Sequence, residues 1–334
     1  MTILSSGVMI SPIPTAIAFE PINLCNAKCF CCPYTEYSKD KSYTSQKMSV
    51  EQITELMNDF GRITKKYNLP EWSTTVMPWR YSDPLVNPNL RTVFSLANKH
   101  KIRVNLTTNA VSFVKRQCDI IQRYIHCMSD PIFVSIIGYT EEEVWDQMKL
   151  RKQKVIKSLI YLRDNYPQIS KLLKVTLKNK NQTKRPSQEL IKYYQSLVLG
   201  FIKPKTNWMS NRSGKGDGVW MQKFNWKLSP NQFVKGCRLT PDKILNRLEL
   251  LVNGNAVLCC EFTYHQRDYG NVFDIGIEGV WKNLTKEHEL IYDTQWSEKK
   301  KELICNDCSR TRFDSDIPVV NRFQSKFYQK YGFK

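Results

Sequence analysis

The chain of 334 residues has no apolar run approaching the 18 or so residues that a membrane-spanning helix needs. Its opening stretch, Met1 to Pro14, lacks the basic patch followed by an apolar core that marks a secretory signal. Acidic residues are few: 31 Asp and Glu against 50 Lys and Arg give a net charge of +19. There is no arginine-rich arm, because the lysines are dispersed, as in Arg151 to Lys154, Lys171 to Lys184 and Lys299 to Lys301. A solvated surface therefore accounts for the charge better than a dedicated nucleic-acid face, although an anionic substrate, a peptide or a nucleic acid remains compatible with it. Eleven cysteines, an odd number without a secretory signal, argue against a disulfide framework. They favour metal or redox work in a reducing compartment, so a cytoplasmic protein without a membrane partner is expected.

What is present is a globular chain, 41% hydrophobic and 12% aromatic, long enough to bury a large core. A short apolar run, Ala16 to Phe19, is followed by repeated units. Ser49 and Gln52 have capping-box spacing, and Ile53, Leu56, Met57, Phe60 and Ile63 recur on one face of a helix expected from Ser49 to Tyr67. Strand Trp72 to Met77 and helix Pro88 to His100 come next. The alternation continues with strand Ile102 to Leu106, helix Val111 to Ile125, strand Ile132 to Ile137 and helix Glu141 to Asn165. Strand Leu172 to Leu177, helix Ser187 to Leu197 and strand Phe201 to Trp208 complete six strands with five helices between them. Such units build a parallel sheet that curls towards a barrel, with ligands at the carboxyl ends of the strands.

The densest chemical signal is Cys25-Asn26-Ala27-Lys28-Cys29-Phe30-Cys31-Cys32-Pro33, immediately after the first strand. The spacing C-x3-C-x2-C at Cys25, Cys29 and Cys32 lets one loop supply three corners of an iron-sulfur cube and leaves the fourth iron without a protein ligand. Thiolates at short spacing also bind zinc, with Cys31 as a fourth donor, although adjacent Cys31 and Cys32 point apart and no His lies nearby.

The loop resembles the cluster loop of the radical S-adenosylmethionine (radical SAM) enzymes. That resemblance implies a partial (β/α)6 TIM-like barrel, a 4Fe-4S cluster on Cys25, Cys29 and Cys32, and S-adenosylmethionine (SAM) chelated by the open iron. The backbone at Cys31 would meet the adenine. Tyr81-Ser82-Asp83-Pro84-Leu85 stands where the family carries its Gly-Glu motif for the methionine amino group, with Ser82 and Asp83 as candidates and the glycines missing. Thr107-Thr108-Asn109-Ala110 is similar to the family's Thr-Asn-Gly, so Thr108 and Asn109 are candidates. Ser135, a lone hydroxyl in an apolar strand, corresponds to a position near the SAM ribose or carboxylate. Ser210-Asn211-Arg212-Ser213-Gly214 is similar to a turn of the aminocyclitol dehydrogenase group, which implies that Arg212 faces the substrate.

A second cysteine set lies downstream. Cys237, Gly254 and Cys259 follow C-x16-G-x4-C, and Cys305 and Cys308 follow C-x2-C. Asn253-Gly254, between Leu248 to Val252 and Ala256 to Leu258, is a two-residue hairpin signal. A zinc ribbon is one reading of these residues. The spacing, with Tyr269 to Val272 and Gly279 to Trp281, is also similar to the start of the SPASM signature in its shorter "twitch" form. The resemblance implies a small β-hairpin plus helix domain with a second 4Fe-4S cluster on Cys237, Cys259, Cys305 and Cys308. Expected boundaries are 1–218 for the barrel, 219–313 for the auxiliary domain and 314–334 for a helical tail. Cys260 and Glu261 beside that cluster are candidates for hydrogen-atom donation and proton acceptance. Cys118 and Cys127, in apolar helical contexts, read as core residues.

The function that the resemblance implies is reductive SAM cleavage and hydrogen-atom abstraction, oxidising a hydroxylated small molecule with the auxiliary cluster's help. Reduced flavodoxin or ferredoxin would donate the electron. A peptide-modifying enzyme, epimerase or crosslinker, is the second reading, weakened by the short stretch before Cys25. A zinc-bearing nucleic-acid-binding protein is the third.

Overall fold

A computed structural model describes residues 2–3, 8–41, 43–181, 183–205, 233–237, 245–260, 267–303, 305 and 311–313. In chain order the elements begin with β1 (Thr2–Ile3), β2 (Met9–Ile10), β3 (Ala16–Phe19), α1 (Pro33–Tyr37), α2 (Val50–Lys66), β4 (Thr75–Met77), α3 (Leu90–His100), β5 (Arg103–Val104) and β6 (Thr107–Thr108). They continue with α4 (Lys115–Arg123), β7 (Ile132–Ile137), α5 (Glu141–Met148), α6 (Lys152–Asn165), α7 (Pro167–Lys171), β8 (Leu173–Lys178), α8 (Gln188–Leu197) and β9 (Phe201–Pro204). The last are β10 (Val234–Cys237), β11 (Arg247–Leu250), β12 (Ala256–Val257), α9 (Val272–Tyr292) and β13 (Thr311–Phe313). The chain divides into two compact units. One comprises Ala18–Gly61 and Thr74–Met209, and the other Met1–Ile17, Arg62–Ser73 and Ser210–Lys334.

In the first unit the strands pair in parallel. Thr75 and Val76 face Arg103 and Val104, β6 pairs with β7, β7 with β8 over Ile132 to Ile137, and β8 with β9. The third barrel position is shared by β5 and β6. Asn105 N–H donates to Val76 O on one side, and Phe133 N–H donates to Leu106 O on the other, both at 2.9 Å. The expected strand Ile102 to Leu106 thus occurs as the shorter β5, and a second short ladder, β6, follows beyond its expected end. The central strands are buried because helices cover them, and Ile132, Val134, Leu173, Val175 and Leu177 have zero exposure, whereas β9 at the edge is largely exposed. The apolar stripe of α2, from Ile53 to Ile63, is buried as its period requires. Ser49 Oγ accepts from Gln52 N–H at 3.1 Å while Gln52 Oε1 accepts from Ser49 N–H at 2.9 Å, closing the capping box. The parallel strands with their covering helices form a mixed α/β fold of the partial TIM-like kind.

The expected helix Glu141 to Asn165 is broken. Lys149 takes a left-handed conformation (φ 55°) that ends α5, and Arg151 is extended. Glu141 then turns back, its carboxylate accepting from Lys152 N–H at 3.2 Å and Gln153 N–H at 3.3 Å to cap α6. The sequence Lys149-Leu150-Arg151 contains neither Gly nor Pro, so nothing in the pattern announces the break. Further on, residues 167–171 form a helix of their own before β8.

In the second unit β1 pairs with β2, β10 with β13, and β11 with β12, each antiparallel. The hairpin ladder ends at Leu250 and Ala256, leaving five residues in the loop instead of two. Leu251 N–H donates to Asn255 O and Gly254 N–H donates to Leu251 O, both at 2.9 Å, so the loop has bonds of its own. Gly254 has φ +88°, and a Cβ there would lie 2.5 Å from the Phe273 ring. Asn271 Oδ1 caps α9 by accepting from Phe273 N–H, while its Nδ2 donates to Asn253 O and Asn255 Oδ1, tying hairpin to helix. Trp281 is buried and donates to Ser11 O at 2.9 Å.

His288 lies edge-on to Trp281 at 6.0 Å, and burial lowers its pKa to about 4. Burial disfavours the charged imidazole in the folded state, so the stability it contributes is present above the unfolded value, about 6.5, and is lost as the pH falls towards about 4. The unfolding free energy measured against pH is expected to fall as the pH is lowered through this window, by about 3 kcal/mol in all. In a His288→Gln chain that part of the slope is absent.

Candidate metal and cofactor centre

The cluster loop is held by its own backbone and by the break in the helix. Cys32 N–H donates to Cys29 O at 2.9 Å, and Thr35 Oγ1 donates to the same oxygen at 2.6 Å. Because α5 stops at Met148, its last carbonyls are free to accept from outside. Lys28 N–H donates to Met148 O at 2.8 Å and Phe30 N–H to Gln147 O at 3.0 Å. The Gln147 side chain meanwhile accepts from Lys180 N–H at 2.7 Å. The unforeseen break is therefore where the cysteine loop docks.

Within the loop the sulfurs feel one another. Burial pushes the Cys29 thiol well up, and the charges of Cys31, Cys32 and Cys25 push the same way, opposed by Lys178. Burial also raises Cys25, with Asp83 adding to it, while Ala27 N–H, 3.4 Å from the sulfur, and the Asp83 N–H oppose it. Such thiols stay protonated without a metal and ionise when one coordinates them. Among the described residues no three His, Cys, Asp or Glu side chains are grouped to hold a single ion. A cubane gives each thiolate its own iron and spreads its ligands more widely than one ion does.

Asp83 is buried in the loop after β4, where it caps the single turn Pro84–Val86. Its carboxylate accepts from Leu85 N–H at 3.0 Å, from Thr108 Oγ1 at 3.0 and 2.8 Å and from Asn109 N–H at 2.8 Å. Burial raises its pKa, and these donors pull the other way. Asn109 Nδ2 in turn donates to Asn26 Oδ1 at 2.6 Å, and Asn26 Nδ2 to Ser112 Oγ at 2.9 Å. Asp83, Thr108 and Asn109, singled out separately in the sequence, thus form one chain of bonds that ends in the cysteine loop. Ser82 Oγ is buried and has no hydrogen-bond partner among the described residues. An orphaned hydroxyl beside this loop fits a ligand that supplies the missing partner.

Ser135 lies in β7, and its Oγ accepts from Lys178 Nζ at 2.8 Å. Lys178, the last residue of β8, escaped the sequence reading. The available signal was a lysine closing the apolar run Leu173 to Leu177, at the strand end where barrel ligands bind. Asn26 was likewise missed, inside the cysteine motif itself.

In the second unit Cys237 ends β10, and Cys259 and Cys260 follow β12. Tyr292 is buried, and its hydroxyl is pushed well up by burial and then by Cys237, Cys305 and Cys259. Tyr269 is raised by burial, Glu287, Cys305 and Cys259, against Arg267. Cys237, Cys259 and Cys305 therefore all act on Tyr292, the last two also on Tyr269, and neither tyrosine hydroxyl has an acceptor among the described residues. Arg247 pairs with the buried Glu249 at 2.5 Å, and the sulfurs of Cys260 and Cys259 act on it. Arg212, Glu261 and Cys308 lie outside the described residues.

A scan against protein-family models and a search of curated proteins give no match. Solved structures do match. BtrN in complex with AdoMet and 2-DOIA aligns with a TM-score of 0.55 at 15% identity, covering 93% of this chain and 98% of that chain. Native anSMEcpe with bound AdoMet gives 0.52 at 13%, covering 94% and 95%. With bound AdoMet and the Cp18Cys peptide it gives 0.50 at 13%, covering 94% of both. These neighbours are radical SAM enzymes. The chain has their fold. In this chain the cysteine loop follows β3, Ser82 and Asp83 lie in the loop after β4, Thr108 and Asn109 at the end of β6, Ser135 in β7 and Lys178 at the end of β8.

Asp83→Ala is expected to leave the Thr108 hydroxyl and Asn109 N–H unpaired in a buried site. Each such loss costs about 1–3 kcal/mol, so the denaturation midpoint of the apoprotein falls markedly. An unchanged midpoint would show that the chain of bonds is not a structural support.

Proposed function

We propose that the chain is a radical SAM enzyme. The observation that carries this reading is a C-x3-C-x2-C loop following the first strand of a fold shared along almost the whole chain with AdoMet-bound structures. Cys25, Cys29 and Cys32 would hold a 4Fe-4S cluster that binds SAM. When bound, cluster and SAM would supply reductive radical chemistry able to remove a hydrogen atom from a substrate C–H bond. The chain's residues bind and orient. Lys178, already hydrogen-bonded to Ser135, presents a cation and a hydroxyl suited to the SAM carboxylate. Ser82 Oγ offers the hydrogen bond it lacks, and the backbone at Cys31 borders the adenine. Asp83, Thr108 and Asn109 keep the loop rigid, which fixes distance and orientation. Reduced flavodoxin or ferredoxin supplies the electron.

Cys237, Cys259, Cys305 and Cys308 hold an auxiliary 4Fe-4S cluster. Their thiols and two orphaned tyrosine hydroxyls fit a sulfur-rich group that accepts hydrogen bonds. The reaction proposed is oxidation of a hydroxylated small molecule held near Arg212, a reading supported by the alignment with BtrN in complex with 2-DOIA. In that oxidation Glu261 accepts the proton released as the carbon radical gives its electron to the auxiliary cluster. The alignment with peptide-bound anSMEcpe supports a second reading, peptide modification, in which Cys260 donates the hydrogen atom.

Anaerobic reconstitution should give about eight irons and eight sulfides per chain, falling to about four when Cys25, Cys29 and Cys32 are replaced by Ala. Zinc in place of iron would sink the proposal. Lys178→Met is expected to weaken SAM binding by about tenfold or more, since hydrogen bonds to charged groups are worth about 1.5–3 kcal/mol. Solvent deuterium at an inverted centre, lost in Cys260→Ala, would favour peptide epimerisation over oxidation.

A further inference from the structure

α3 and α4 leave between them a cleft of about 600 Å³, lined by Arg91, Lys115, Arg116, Asp119, Arg123 and Tyr124. It contains none of the residues assigned to the cluster or to SAM. Its charges do not cancel. Lys115 is paired with Asp119 at 2.8 Å, and Asp119 also accepts from Tyr166 OH at 2.6 Å, so the one carboxylate in the cleft is already engaged. Arg91, Arg116 and Arg123 meet no carboxylate among the described residues. Two of these guanidinium groups are nevertheless held in place. Arg116 Nη2 donates to Pro88 O at 2.7 Å, and the Arg123 guanidinium lies 5.7 Å from the centroid of the Tyr124 ring, which stacks on Phe94 at 6.1 Å.

Three like charges gathered in one cleft repel one another, an arrangement that an anion relieves. The volume falls in the range of small-ligand sites, about 300–1,000 Å³. A guanidinium presents two parallel N–H donors that match phosphate oxygens, and a cleft with three of them suits more than one phosphate group. Concavity and size favour a small molecule over the flat backbone of a nucleic acid, while Ile120 and the Tyr124 ring give the remainder of the ligand an apolar wall.

We propose that this cleft binds a small ligand bearing a pyrophosphate group, the oligophosphate chemistry of a nucleotide, at a site separate from the SAM site. The proposal stands independently of the cluster chemistry, because every residue lining the cleft lies on α3, α4 or the residue after α4.

The test is titration calorimetry of the full chain with inorganic pyrophosphate, with sulfate as the control anion. Saturable binding of pyrophosphate, tighter than that of sulfate, is expected. Arg91→Gln with Arg123→Gln should weaken it about tenfold or more while SAM binding is unchanged. Both side chains are exposed, so the melting midpoint should scarcely move. The corresponding double Lys variant keeps the charge but loses the paired donors, and should lie between wild type and the Gln variant. Absence of saturable binding, or equal affinity in wild type and the Gln variant, overturns the proposal. So does a short oligonucleotide that binds the cleft, and is released in the Gln variant, when pyrophosphate does not bind.

Discussion

The carboxylate of Asp83 is the joint on which the candidate site depends. A buried acid is tolerable only if donors surround it, and here two backbone N–H groups and a hydroxyl do so. Those donors belong to the loop after β4 and to the end of β6. One carboxylate therefore fixes the loop after β4 against the end of β6, and the Asn109–Asn26 bond carries that constraint into the cysteine loop. Cluster chemistry needs three sulfurs in one place, and a loop of eight residues does not hold such a geometry unaided. The protein supplies the rigidity from outside the loop.

The second support comes from a helix that stops early. The carbonyls of Gln147 and Met148 would be satisfied internally in a continuous helix from Glu141 to Asn165. Ended at Lys149, they receive the N–H groups of Lys28 and Phe30. The left-handed residue costs backbone energy, and the capping of α6 by Glu141 with the docking of the cysteine loop offsets it. Local propensity favoured the continuous helix, and a long-range contact overrode it.

The unit that holds the second cysteine set is organised on the same plan with different parts. Asn271 caps a helix and holds a hairpin loop, while Lys300, buried and almost without exposure, donates to Val234 O and Asp293 O. These bonds place β10, and hence Cys237, relative to the end of α9. Tyr269 and Tyr292 are buried, and neither hydroxyl has an acceptor among the described residues, a cost that a native fold carries where a ligand takes the hydrogen bond.

By itself the sequence determined the strand-helix alternation, the stripe of α2 with its capping box, and the two cysteine sets, because these are local: a period of 3.6, a cap three residues away, a spacing of thiols. It also marked Asp83, Thr108, Asn109 and Ser135, though as separate positions. What only the tertiary structure decided is how they meet. That Asp83 binds Thr108 and Asn109, that Lys178 reaches Ser135, and that the third strand position splits into two ladders all depend on neighbours far along the chain. The five-residue hairpin loop and the break at Lys149 belong here too, since Gly254 sits against Phe273 and the carbonyls before Lys149 against the cysteine loop. Contacts between distant segments leave no periodic trace in the sequence, and only folding brings them within the reach of a hydrogen bond.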